Sequence, residues 1–191
     1  MEAPGGPWVL GLGLGFAALL VVWTAPETPR RLGRGSVAPD FELPALDGRS
    51  ASLEDTAGQL RLVNFWATWC KPCEDEMPSM QKLYGELADD GFELIAISVD
   101  EDPEAVRRFQ ERYQLSFPIL LDSEQEVSAR YQTYRFPESF LIDPAGEVVE
   151  RYVGPKHWDD EAYLQRLRRL LPDDRRPRVA LPVMASEEAT N

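Results

Sequence analysis

A chain of 191 residues, 43% hydrophobic and 28% charged, is long enough for one domain with appendages, and its composition excludes a collagen-like, mucin-like or wholly disordered polymer. Asp and Glu number 33 against 20 Lys and Arg; the resulting charge of −13 repels a phosphate backbone, so no nucleic-acid partner is expected. Two cysteines and one histidine are too few for a disulfide-stapled scaffold or a four-ligand zinc site, which leaves the cysteines to act as a pair.

No charge interrupts residues 3–26, and the stretch Trp8 to Trp23 (WVLGLGLGFAALLVVW) is nearly all apolar with tryptophan at both ends. Its length falls between a signal-peptide core of about 7–15 residues and a bilayer span of about 20. Ala25 has Trp23, not a small residue, at the offset a cleavage site requires. Residues 1–26 are therefore read as an uncleaved membrane anchor or signal-anchor. Arg30, Arg31 and Arg34 follow it, and the positive-inside rule taken alone would leave the next domain in the cytoplasm. Residues 27–36, rich in Gly, Pro and Arg, read as a linker; residues 37–171 as the folded domain; and residues 172–191, with three prolines and no sustained period, as a disordered tail. The charges of the two ends nearly cancel, so the domain carries the acidity.

Within the domain, Asp47-Gly48 signals a tight turn between short extended pieces, and LRLVNFWA from Leu60 to Ala67 reads as a buried strand. A helix starts at the cysteines: Met77, Met80, Leu83, Tyr84 and Leu87 recur at three and four, and Gly91 closes it. FELIAISVD from Phe92 to Asp100 is apolar enough for a strand covered on both faces. Pro103 opens a second helix with Val106, Phe109 and Tyr113 on one side. There follow a strand from Pro118 to Asp122, a short helix around Glu124 to Tyr131, strands at Ser139–Asp143 and over EVVERYVG, and a last helix from about Asp159 to Leu171. Alternating strands and helices that end in a hairpin and a helix imply an α/β sandwich with a mixed sheet.

The chemistry lies in Trp69-Cys70-Lys71-Pro72-Cys73-Glu74-Asp75-Glu76-Met77-Pro78, directly after the first buried strand. Sulfurs three residues apart in the first turn of a helix reach bonding distance, and the unpaired N–H groups there stabilise a thiolate at the leading position. Cys70 is then the exposed nucleophile and Cys73, one turn inward, the resolving thiol. Pro72 fits a first turn, where its missing N–H costs little. His157 is far off in sequence and reads as a surface-loop residue, so neither a metal nor a cofactor is expected.

The string NFWATWCKPC…EMP, preceded by APDFELPALDG and followed by FPESFLIDPAGEVV, resembles the TlpA/ResA-like branch of the thioredoxin superfamily, an AhpC/TSA-redoxin type domain, over about residues 37–171. The resemblance implies a thioredoxin-like three-layer sandwich with a central mixed sheet and a helix-strand insertion, here about Asp102 to Pro118. It also implies a membrane-tethered thiol-disulfide oxidoreductase acting as a reductant, for example in cytochrome c maturation. Its partners would be disulfide-bearing protein substrates and an upstream membrane or soluble thiol donor. The domain would then be periplasmic or extracytoplasmic, against the arginine count.

By position, the resemblance makes Phe136-Pro137 the cis-proline element that would pair with an extended substrate, and Trp69 an apolar border of the exposed sulfur. Asn64 stands where thioredoxin has a buried aspartate, which leaves Glu76 as the candidate base for Cys73. Glu74, Asp75 and Glu76 should disfavour thiolates, with Lys71, Pro72 and the helix start as the remaining tuning elements. Glu138, after the proline, is expected to add a negative charge beside the substrate groove and so to disfavour an acidic partner. Two alternative functions are weighed. A thiol peroxidase lacks support because neither cysteine has the Pro-x-x-x-Thr-x-x-Cys surroundings, and a copper-handling binding module has thiolates but no histidine nearby.

Overall fold

The computed structural model describes residues 31–172. The expected anchor and all but the first residue of the expected tail lie outside this range, and no helix among the described residues is long and apolar enough to cross a membrane. A two-stranded hairpin comes first, β1 (Glu42–Pro44) and β2 (Ser50–Ser52), turned at Gly48, whose φ of 81° suits a residue without a Cβ.

Next come β3 (Leu60–Trp66), α1 (Lys71–Leu87), β4 (Phe92–Ser98), α2 (Pro103–Tyr113), β5 (Ile119–Leu121), α3 (Glu126–Arg130), β6 (Glu138–Ile142), β7 (Val148–Val153) and α4 (Glu161–Arg168). The sheet order is β5-β4-β3-β6-β7, parallel across β5-β4-β3 and antiparallel across β3-β6-β7. This is the expected mixed sheet; α2 lies within the expected insertion of about Asp102 to Pro118, and the strand that completes it, β5, starts just beyond that range at Ile119.

Both central strands are buried along their whole length because the sheet is covered on both sides. Leu62 and Trp66 of β3 join Met77, Met80 and Leu83 of α1, Phe109 of α2 and Leu164 of α4 in one apolar cluster. Val63 and Phe65 point the other way, into a second cluster with Phe41, Leu53, Val127, Tyr131 and Phe140. Period-2 alternation thus sorts one strand between two cores. The final two helices are shorter than the sequence suggests, ending at Arg130 and Arg168. The packed body also reaches back to Leu32, inside the expected linker. Leu32 is buried, Gly35 donates to Val148 and Val148 donates back to Ser36, and Arg151 reaches the Leu32 carbonyl, so β7 holds this segment.

Candidate active site

Strand β3 delivers the chain to the top of the sheet, where a short turn, Cys70 N–H to the Ala67 carbonyl, leads into α1. Cys70 is the N-cap, extended at φ −90° and ψ 99°, with its sulfur 3.3 Å from the Cys73 N–H. Lys71 and Pro72 occupy the first helical positions, both exposed, and Pro72 surrenders no hydrogen bond there. The two cysteines form a disulfide with Cα atoms 5.3 Å apart. Cys70 retains 7% of its surface and Cys73 none, which leaves one sulfur for a partner to reach.

The turn itself is clamped from β4, by a contact for which the sequence offers no signal. Asp100, buried, accepts the Thr68 hydroxyl at 2.6 Å, the Thr68 N–H at 2.9 Å and the Ser98 hydroxyl at 2.7 Å. It thereby holds the residue before Trp69. Trp69 stands 68% exposed, its ring edge-on to Phe136 with centroids 6.1 Å apart. Phe136 is half-buried against the core cluster that contains both cysteines, and the Phe136-Pro137 bond is cis. Phe136 is thus brought against Trp69, the residue before Cys70, and the cis bond to Pro137 follows it.

Glu76, one turn beyond Cys73, is 2% exposed, so it is not a surface residue of the helix start. Three donors converge on it: Asn64 Nδ2 at 3.0 Å on Oε1, and the Lys156 N–H at 3.1 Å and Trp158 Nε1 at 3.2 Å on Oε2. Burial outweighs these bonds and pushes its carboxyl up to about 7. Asn64 also donates to Ser139, while its own Oδ1 is buried without a partner. A half-turn of that amide offers Oδ1 to a protonated Glu76, so either protonation state has a partner on β3.

Lys156 and Trp158 come from the loop after β7, and nothing in the sequence marks them. Lys156 Nζ holds that loop in shape by donating to the carbonyls of Val153, Gly154 and Pro155. Trp158 is buried and packs edge-on to Tyr152. Trp158→Phe keeps most of that packing but removes one donor to the charged form; the Glu76 midpoint then rises by about one pH unit, readable from its carboxylate infrared band.

Two expectations about charge are corrected. Glu138 does not line the substrate groove. It is buried on the opposite face of the sheet and paired with Arg151 at 2.6 Å, because period-2 alternation sends Ser139, not Glu138, toward Asn64. Nor are Glu74 and Asp75 free charges. Asp75 pairs with Lys71 at 2.6 Å and holds its ammonium above its ordinary pKa. Glu74 accepts the Tyr113 hydroxyl of α2, which holds it below the usual carboxylate range, and also faces Lys71 at 3.4 Å and Arg112 at 3.9 Å.

A disulfide at a helix start, with one cysteine accessible and a buried carboxyl one helical turn beyond the other, is the arrangement for dithiol exchange. The model of the AhpC/TSA family matches residues 34–151. The chain belongs to that family. It is a thioredoxin-like thiol-disulfide oxidoreductase: it is 41% identical over 134 residues, 70% of this chain and 78% of the relative, to the thiol-disulfide oxidoreductase ResA of Bacillus cereus. It is also 36% identical to the thioredoxin-like protein YneN of Bacillus subtilis, covering 77% of this chain and 89% of YneN. Among solved structures, the thioredoxin domain of a thiol-disulfide oxidoreductase from Bacteroides vulgatus superposes with a TM-score of 0.65 at 30% identity, covering 73% of this chain and 99% of that domain.

Exchange at such a pair balances in either direction: closing the 70–73 bond releases two electrons and two protons, which turn a partner disulfide into two thiols, and the reverse reaction opens the bond.

Proposed function

We propose that this oxidoreductase runs as a reductant of protein disulfides, with Cys70 as nucleophile, Cys73 as resolving thiol and Glu76 as the base that takes the Cys73 proton. Trp69, Phe136 and Pro137 form the partner-binding border, and Lys71 and Pro72 tune the pair. The observation that carries the direction is the buried Glu76 carboxyl one helical turn from Cys73, in a helix start whose Lys71 is held by Asp75 and Glu74. Ionised Glu76 disfavours a neighbouring thiolate, destabilises the dithiol form and lowers the potential.

The reading extends to a domain tethered by the N-terminal apolar segment on the extracytoplasmic side. There it would be re-reduced by a membrane or soluble thiol donor and would serve cytochrome c maturation. The support for that part is the Trp8–Trp23 segment and the ResA-like resemblance. Equilibration with glutathione, followed by thiol alkylation, tests the direction. We expect a potential near the thioredoxin value of about −270 mV, and a value above about −180 mV, the protein disulfide isomerase level, would remove the reductant role.

A further inference from the structure

Four large apolar side chains are strongly exposed among the described residues: Val37, Trp69, Tyr134 and Val153. Val37 bridges to Glu147 at the far end of β7. Val153 pairs in register with Glu138 and so shares its far face of the sheet. The other two stand on the segments that lead to Cys70 and to the cis bond: Trp69 precedes Cys70 and meets Phe136, and Tyr134 lies two residues before Phe136. Scattered single exposures need no explanation, but a gathered rim around a reactive pair marks a contact surface.

The charges on this rim decide which partner it fits. Lys71 is held by Asp75 and Glu74, and Arg112 faces Glu74. Lys156 Nζ is spent on three loop carbonyls, Glu76 is buried, and Glu138 is buried against Arg151 on the other side of the sheet. Arg135, between Tyr134 and Phe136, is exposed and has no ion-pair partner among the described residues. An unpaired cation therefore sits beside the cis peptide of a chain whose net charge is −13.

From this rim and this charge we infer that Arg135, which lies in the chain between Tyr134 and the Trp69 contact Phe136, selects partner segments in which the reacting cysteine is bordered by a carboxylate and apolar side chains. This deepens the reductase reading and rests on it. It also reverses the preference expected from Glu138. A basic segment would be drawn to the acidic surface at large but repelled where the sulfurs meet.

The test uses two synthetic peptides, each a disulfide-linked dimer and identical except for Glu or Lys next to the cysteine, with leucine on the other side. Pre-reduced protein converts each dimer to two thiol peptides as its own 70–73 disulfide forms, and the rate is followed by Trp fluorescence or chromatography. A wet surface pair changes a rate about twofold in either direction, so the wild type is expected to favour the Glu peptide about fourfold at low salt. Arg135→Glu inverts that ratio, and molar salt flattens it in both proteins. The ratio cancels any effect common to both peptides, including a fold defect. A ratio that Arg135→Glu leaves unchanged, or a wild-type preference for the Lys peptide, overturns the inference while leaving the reductase reading standing. If the reduced wild type reduces neither peptide, the reductase reading itself falls and the selection falls with it.

Discussion

Cys73→Ser protein accumulates a mixed disulfide with its partner through Cys70 and loses protein-disulfide turnover by at least about a thousandfold. The size follows from geometry. A thiol held three residues away at the first helical turn competes at an effective concentration on the order of 10⁵ M or more, against millimolar thiol in solution. The site of attachment follows from exposure: Cys70 keeps 7% of its surface and Cys73 has none. Cys70→Ser should be equally inactive but trap nothing, because its remaining sulfur is sealed beneath the helix start. Peptide mapping of the trapped complex checks both statements, and a partner linked through Cys73 would reverse the two roles.

Glu76→Gln separates activity from stability in opposite directions. With the carboxyl pushed up to about 7, the wild-type rate of disulfide closure rises through that pH as Glu76 ionises and becomes able to accept the Cys73 proton. The glutamine variant should lose about a hundredfold at neutral pH, within the range a positioned base supplies, and should lose the inflection as well.

Stability changes the other way. In the oxidised protein the folded state holds the Glu76 proton above the ordinary value of 4.5, so it binds more protons than the unfolded chain between 4.5 and about 7. Stability therefore falls as pH rises through that window and stays reduced above it, by about 3 kcal/mol at most. Glutamine mimics the protonated carboxyl: its oxygen takes the Lys156 and Trp158 donors, and its amide meets a turned Asn64 Oδ1. The variant should match the wild type in urea unfolding at pH 4.5 and exceed it at pH 8. A variant that is both slow and less stable at pH 8 would make Glu76 a structural brace.

These two expectations differ in how far the sequence alone could carry them. The cysteine pair, its place after a buried strand and the proline in the first turn are local features, set by spacing along a few residues. The same holds for β3 and β4, whose unbroken apolar runs announce burial on both faces, and for the Asp47-Gly48 turn. Glu76 was nameable by resemblance, but its character was not. A glutamate near a helix start usually faces water, and this one is pushed up to about 7 because the fold buries it, among groups such as Asn64, Lys156 and Trp158 that lie up to 82 residues away.

Glu138 and Arg135 show the same division with opposite outcomes. Both flank the cis-proline element in the sequence, and by charge alone the nearer acid should dominate the groove. The pleat of β6 turns Glu138 into the far core, where Arg151 neutralises it, while Arg135, in the segment before that strand, stays exposed. The residues 32–36 read as linker because Gly and Arg prevail there, yet β7 supplies them with hydrogen-bond partners. The order of the elements and the sulfur pair were legible along the chain, because periodicity and helix-start chemistry act over one or two turns. The tertiary structure alone decided which carboxylates keep their charge and which cation stays free, because desolvation and ion pairing depend on groups that are distant in sequence and become neighbours only when the sheet assembles.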